Sequence, residues 1–520
     1  MGSLRKSAIL DSLALLFLTA SCWGRICSVR DFGAQADKRG NDAPAIQAAI
    51  DSCAEAGGGI VYVPAGDYLC GQLRLRSNIS LYLEPGATLW VSPDKEHYKE
   101  GSRFLYAEDQ QNITIEGRGT IHGTGEADLM RKRTDKTEQR PAFRVGILRF
   151  MRCRNVSIKD ITVRYSDSWT FDFEFCENVF VNGVSILNNY YRVNADGIDP
   201  VSCRNVHISN CHIVAGDDCI VCKTRQGVPC EDVVVTNCTL ESVATAIKIG
   251  TESPSDFRNI RVSNCVIRNS TVGIGMYIKD GATAERISFS HCTIETIRNL
   301  EGVKDSLKNS IYPIFVDIEK RDKQSRIGRI RDLTFADIDI VGDNGILIQG
   351  MSKGKIENLT LRDITLRVDR GSDYSQRKKH IGGSTFDTED RRMTIYAQKP
   401  SYTTLANVDG LTVDGLRVLI PGDVFAHYPR STLSLHESER AVVSNVSRMP
   451  AGTGSQMPVV VMENCRDSFL TKCFALPGTD TFVKILGKDT ANICLIGNDL
   501  SKAKNALELA ADVPDGQVRD

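Results

Sequence analysis

Excess charge of either sign is what this chain lacks most clearly. Its 520 residues carry 64 Lys and Arg against 65 Asp and Glu, a formal net charge of −1. That balance removes the long-range attraction behind non-specific binding to nucleic acid or to an anionic membrane, so recognition of a charged ligand has to be local. Apolar runs long enough to span a bilayer are missing too. The longest, Ala8 to Ala20 behind Arg5 and Lys6, reads as the core of an export signal over residues 1–21. Leu18-Thr-Ala-Ser-Cys22 also matches a lipoprotein cleavage site, so a cleaved signal and a lipid anchor both stay open. Either predicts a periplasmic, cell-surface or secreted protein. With 41% hydrophobic and 25% charged residues the chain shows no disordered or fibrous bias.

What the chain does have is a period. Cys211, Cys238, Cys265 and Cys292 are each 27 residues apart, inside the matching segments Ile208-Ser-Asn-Cys211, Val235-Thr-Asn-Cys238, Val262-Ser-Asn-Cys265 and Phe289-Ser-His-Cys292. Cys176, Cys203 and Cys230 keep the same interval, and Phe257 continues their phase. A fixed period of this size means a solenoid whose units bury apolar surface only against their neighbours. No window keeps a helical apolar period, which excludes two-helix repeats, and the Leu and Asn template of leucine-rich repeats is absent. Short alternating segments such as Asn205-Val-His-Ile-Ser, bounded by Gly, Asn and Asp, read as strands. Three strands and three turns per unit predict an all-β fold, a single right-handed parallel β-helix over residues 28–500, with a polar tail over 501–520.

Stacked coils place equivalent residues about 4.8 Å apart. The cysteine columns are therefore expected to be inward-facing free thiols, since side chains pointing in parallel make poor disulfides. Cys219-Ile-Val-Cys222 lacks a second half and is not expected to bind metal. Ile330-Arg-Asp-Leu-Thr-Phe and Ile356-Glu-Asn-Leu-Thr-Leu, 26 apart, continue the repeat. Val408-Asp-Gly-Leu-Thr-Val resumes it after an insertion at about 369–404. Asp42 to Cys53 predicts an amphipathic helix plugging the open end, with Asp42 as N-cap, Pro44 in the first turn and Gly57-Gly-Gly59 as its stop. Asn210, Asn237 and Asn264 read as a turn ladder.

Aligning coils at a constant 27 residues puts Val193, Ile220, Ile247 and Ile274 in one inward column and Ala195, Cys222, Ile249 and Met276 in another. The phases between them must face out. One is Asn194, Val221, Lys248, Gly275; the next is Asp196, Lys223, Gly250, Tyr277; two residues on stand Arg225, Glu252 and Lys279. With Gly216-Asp217-Asp218 beside that strip, three carboxylates from adjacent turns meet on one patch. Crowded like charges raise at least one pKa, so one carboxyl stays an acid while another remains a base. An inverting glycosidase needs that division.

Asn194-Ala-Asp196-Gly followed by Gly216-Asp-Asp218-Cys resembles the Asn-Thr-Asp and Gly-Asp-Asp motifs of the polygalacturonase family of pectin hydrolases, glycoside hydrolase family 28. Val29-Arg-Asp-Phe-Gly and Gly58-Gly-Ile-Val-Tyr-Val-Pro-Ala-Gly66 resemble that family's N-terminal region, and the likeness spans about residues 28–300. The resemblance implies Asp217 as general acid and Asp196 and Asp218 as activators of water. It implies substrate contacts from Asn194 and from Lys279, which stands where the family has the lysine of Arg-Ile-Lys. Two positions depart. The family's Gly-His-Gly falls on Ala244-Thr245-Ala246, and its substrate-binding arginine is Tyr277. Lys223, Lys248 and Arg225 either replace that charge or balance the aspartates. The expected activity is inverting hydrolysis of a pectic or other plant or microbial glycan, not plain polygalacturonan, by a monomer without metal or cofactor. A uronate lyase or epimerase using Lys223 or Lys248 as base, and a glycan-binding protein without activity, are the alternatives.

Overall fold

The computed structural model describes residues 25–129, 143–296, 312–343, 345–369, 401–449 and 457–519. The expected signal over 1–21, Cys22 and most of the insertion at 369–404 lie outside the described residues.

Period-2 segments of β-branched residues wind into a right-handed parallel β-helix. A typical coil consists of the strands Ile198–Val201, Arg204–Ser209 and His212–Ala215, and the next of Ile220–Cys222, Cys230–Thr236 and Thr239–Ser242. The ladders join into one sheet of 27 strands and another of 15. Registers among the repeats run Arg204↔Glu231, Glu231↔Arg258 and Arg258↔Glu285, keeping the 27-residue step read from the cysteines. Farther on, Ile330 pairs with Ile356 and Ile356 with Val408, so the weaker repeats stack as expected.

Alternation points Val206, Ile208, Val233 and Val235 inward, fully or almost fully buried. The described cysteines are all free thiols, and all but Cys494 are buried. Cys176 N–H donates to Cys203 Sγ at 3.4 Å, one rung away, and burial pushes the Cys176 thiol well above its usual range. Among the described residues no helix is long and apolar enough to cross a membrane.

Tight turns hold the coils in register. Asn78, Asn112, Asn155, Asn178 and Asn205 each adopt a left-handed conformation (φ 54–64°). Each side chain donates to the one before it, at 2.8, 2.9, 2.9 and 2.7 Å. Of the expected ladder Asn210, Asn237 and Asn264, all three are left-handed (φ 56–57°), and Asn237 Nδ2 donates to Asn210 Oδ1 at 3.4 Å. A second device lies on the exterior. Arg154, Glu177, Arg204, Glu231, Arg258, Glu285, Arg331 and Glu357 occupy one register position on successive coils. Their charge alternates at every step.

Two expectations change. The helix Ala43–Glu55 forms and buries Ile46, Ala49, Ile50 and Cys53 against the first coils. Asp42 stands at its N-cap as expected, its carbonyl accepting from Ile46 N–H at 3.0 Å, but its side chain does not cap the helix. Its carboxylate accepts from the backbone N–H of Gln35 (2.7 Å) and Ala36 (3.1 Å), and Asn41 Oδ1 accepts from Ala43 N–H at 3.1 Å instead. The segment read as a polar tail contains the last strands: Asn505–Leu509 pairs with Thr481–Leu486, and Val518 with Ile493.

Asn205 tests the ladder. Asn205→Ala should lose the amide bonds and leave the left-handed region without the short polar side chain that makes it tolerable, costing about 1–2 kcal/mol. Asn205→Gly should lower the unfolding midpoint in urea less than Asn205→Ala does.

Candidate active site

The three aspartates meet on the outward side of the 15-stranded sheet, in the turns entering two successive strands. Ten residues, 188–197, precede Ile198–Val201, but only four, 216–219, precede Ile220–Cys222. The turns that follow compensate: two residues, 202–203, against seven, 223–229. The cysteine period survives while the strand between these turns slips by five residues.

This slip corrects the constant-period alignment. Ile198, not Val193, pairs with Ile220, and Val201, not Asp196, pairs with Lys223. From Ile220 onward the columns stand as read, with Ile220↔Ile247, Val221↔Lys248 and Cys222↔Ile249, then Lys248↔Gly275 and Gly250↔Tyr277. Gly197 N–H donates to the Asp218 carbonyl at 2.9 Å and Ile198 N–H to that of Cys219 at 2.8 Å. Asp196 and Asp218 are therefore rung neighbours. The approach is close enough to require glycine. A Cβ at Gly197 would sit 2.4 Å from the Cys219 carbonyl oxygen, and one at Gly216 would sit 2.1 Å from that of Arg192.

The long turn is fixed by buried charge. Arg144 Nε and Arg192 Nε donate to Asp167 Oδ1 at 2.9 and 2.7 Å. Asn188 Nδ2 donates to the Ala195 carbonyl at 3.2 Å and to Thr170 Oγ1 at 2.8 Å. The Asp196 carbonyl accepts from Thr170 N–H at 2.9 Å. Asn194, at φ 58°, directs its backbone N–H and its Nδ2 to Asp217 Oδ2 at 3.3 and 3.4 Å. Ser242 Oγ donates to the Asp217 carbonyl at 2.5 Å.

Asp217 is half-buried, whereas Asp196 and Asp218 are each 2% exposed. Lys223 Nζ lies 3.4 Å from Asp196 Oδ2 and also donates to Asp199. Lys248 Nζ lies 2.7 Å from Asp218 Oδ2. Asp196 Oδ1, Asp199 Oδ2 and Asp218 Oδ1 are buried without a hydrogen-bond partner. Burial, then the nearby Asp199 charge, pushes the Asp196 carboxyl well above the usual carboxylate range. Burial likewise raises Asp199 to about 7, against the opposing pull of Lys223. Lys223 and Lys248 both rise: their burial is outweighed by the carboxylates beside them, Asp199 first for Lys223 and Asp218 first for Lys248.

The remaining expected substrate contacts sit deeper. Lys279 is 1% exposed and paired with Glu319, and burial lowers its pKa. Tyr277 is buried, its ring 5.1 Å from Phe315 and 5.6 Å from Lys248 Nζ, with Thr245 beside its hydroxyl. Burial pushes that hydroxyl up to about 12. The residues replacing the resembled family's histidine and arginine thus touch each other. Arg225 bridges Glu174 and Glu252, both at 2.9 Å.

Three contributors escaped the sequence reading. Asp199 and Asp172 are register partners on the outward face, and Trp169 carries Lys223 Nζ 3.5 Å from its ring centroid. Counting two residues on from Gly197 in Ile198-Asp199-Pro200 would have found Asp199. The constant-period alignment hid it. Among the described residues no group of three or more His, Cys, Asp or Glu is arranged to hold a metal ion, and Cys219 and Cys222 are core thiols.

Buried carboxylates of raised pKa in and beside the turns of a parallel β-helix, backed by lysines, make this patch a candidate site for acid–base chemistry. The family described as Glycosyl hydrolases family 28 matches residues 53–382, more than half of the sequence. This chain belongs to it. A probable polygalacturonase of Vitis vinifera is 30% identical over 43% of this chain and 49% of its own length. A probable rhamnogalacturonase A of Aspergillus oryzae is 27% identical over 38% and 40%. The chain thus spans about half the length of these curated relatives. The hyperthermoactive exopolygalacturonase from Thermotoga maritima superposes with a TM-score of 0.57 at 23% identity, over 66% of this chain and 87% of that one. That likeness is one of fold.

The lysine between Asp196 and Asp199 sets a pH test. Carboxyls with raised pKa bind more protons folded than unfolded, so their contribution to stability is fully present at low pH. It is lost as pH rises through the folded values, near 7 for Asp199. Removing the ammonium raises them further. Calorimetry of Lys223→Met should show a melting temperature below wild type at pH 8, with the gap narrowing at pH 5.

Proposed function

We propose that this chain is an inverting glycoside hydrolase whose general acid is Asp217 and whose water-activating groups are Asp196 and Asp218. One observation carries the reading. Asp196 and Asp218 are rung neighbours, each with one oxygen directed to a lysine and the other without a partner. Two such acceptors side by side can hold one water and take its proton. Asp217, half-buried and held by Asn194, is the carboxyl that can reach a glycosidic oxygen.

In the reaction Asp217 gives its proton to the leaving oxygen as the glycosidic C–O bond breaks. Water attacks the anomeric carbon from the opposite side and loses its proton to the Asp196–Asp218 pair. The configuration inverts, and proton exchange with solvent resets the site. Lys223 and Lys248 hold the pair in place and offset its charge.

The substrate in this reading is a pectic or other plant or microbial glycan with a neutral sugar beside the scissile bond. Tyr277 and Thr245 supply no positive charge where family members hold a uronate carboxylate. The cations at the patch are each committed: Lys223 to Asp196 and Asp199, Lys248 to Asp218, Lys279 to Glu319, Arg225 to Glu174 and Glu252. Among the described residues, plain polygalacturonan would meet carboxylates without a cation to spare. Such a substrate also fits the export expected from the N-terminal sequence.

Asp217→Asn should keep the fold by circular dichroism and lose about 10²–10⁴-fold in turnover, the range for a positioned general acid. Across a panel of glycans, NMR of the first product should show the inverted anomer. A retained anomer, or an ultraviolet-absorbing unsaturated product, would exclude this mechanism.

A further inference from the structure

Resting on that reading for the place of the scissile bond, we propose that Trp169 is the floor of a sugar-binding subsite one coil before Asp196. A pyranose ring of the substrate stacks its C–H face on the indole there.

Trp169 stands in the turn 165–170, between the strands Thr162–Arg164 and Phe171–Glu174. The residue after it, Thr170, donates its N–H to the Asp196 carbonyl at 2.9 Å, and Phe171 N–H donates to that of Gly197 at 3.0 Å. The turn is thus one rung, about 4.8 Å along the axis, from the one that carries Asp196. It is firmly held. Ser166 N–H donates to Asn188 Oδ1 at 2.9 Å, Ser166 Oγ donates to the Ser168 carbonyl at 2.6 Å, and Asp167 anchors Arg144 and Arg192. A platform fixed in this way loses little freedom when a ligand settles on it.

The ring lies on a cation. Lys223 Nζ is 3.5 Å from its centroid, and the Arg225 guanidinium carbon is 5.6 Å away. Lys223 is 5% exposed and bound to Asp196 and Asp199, so one face of the indole is closed over buried charge. Trp169 itself is only half-buried, and its exposure belongs to the other face and the edge. An aromatic surface left open beside convergent acid groups suits the apolar face of a ligand. Trp90 supplies the contrast. Its ring has Lys38 Nζ at 3.0 Å and the His122 ring at 4.1 Å, and its Nε1–H donates to Asp67 at 2.8 Å. Among the described residues no acceptor takes the Trp169 Nε1–H. That unused donor and the half-exposed Arg225 supply N–H groups for hydroxyls. A pyranose meets both demands, with C–H bonds on its ring face and hydroxyls around its edge.

Short pectic oligosaccharides titrated into the Asp217→Asn protein, which prevents turnover, give the first readout by tryptophan fluorescence. Binding should change the emission of that protein and leave unchanged the emission of Asp217→Asn combined with Trp169→Phe. Kinetics on the panel glycan that is hydrolysed give the second readout. Trp169→Phe keeps a flat ring, whereas Trp169→Leu keeps apolar cover over Lys223 without one. Trp169→Leu should raise KM about tenfold, equivalent to roughly 1.4 kcal/mol of binding, with Trp169→Phe nearer wild type and the pH profile of kcat unmoved in both. The same KM in all three proteins overturns the inference and leaves the hydrolase reading standing. So does a fall in kcat with a displaced pH profile and an unaltered KM, which makes Trp169 a cover for Lys223 alone. No emission change with any oligosaccharide, or one that persists without Trp169, overturns it as well. If the folded wild type hydrolyses no glycan, the hydrolase reading fails, and the fluorescence comparison alone decides the subsite. It decides equally if Trp169→Leu does not fold.

Discussion

The parallel hydrogen-bond ladder between successive coils is the constraint on which everything else rests. It sets neighbouring backbones about 4.8 Å apart and leaves little freedom across the rung. Where Gly197 meets Cys219, and Gly216 meets Arg192, the gap is too small for any side chain. These glycines let the entering turns of two coils close on each other, and that closure sets Asp196 beside Asp218. The acidic patch is a product of backbone proximity before it is one of side-chain choice.

Placing so many carboxylates in a buried turn is unfavourable, and the fold offsets it locally. Lys223 serves Asp196 and Asp199 together, under the ring of Trp169, while Lys248 serves Asp218. A buried charge with a partner is tolerated, but the same charge alone is very costly. The lysines are therefore part of the conditions for folding as well as for chemistry. The pairing also explains why the cations of the patch, among the described residues, are each committed to a carboxylate. Thr245 and Tyr277 extend that logic, lying beside each other and presenting no charge.

The solenoid was legible because it repeats: the cysteine phase, the alternation of Val206 and Ile208, and the turn asparagines all report one geometry many times. The aspartates were legible by motif. Their neighbours were not. A constant period cannot reveal two compensating turn lengths, 188–197 before one strand and 223–229 after the next, so Asp199 was missed and Asp196 was put in the wrong column. The N-cap position was legible at Asp42, but the use of its side chain was not, for a related reason. Asp42 fits the N-cap by residue type, but the tertiary fold brings Gln35 and Ala36 N–H groups to it first.

The alternating Arg and Glu column on the exterior bears on how such a chain can change its length. Removing a single coil from among these would bring two arginines, or two glutamates, onto adjacent rungs, and adding one would do the same. Removing or adding two restores opposite neighbours. Growth or loss by pairs of coils thus keeps the alternation here, whereas farther along the same column Glu357, Asp409 and Glu439 stand on adjacent rungs and like neighbours are tolerated.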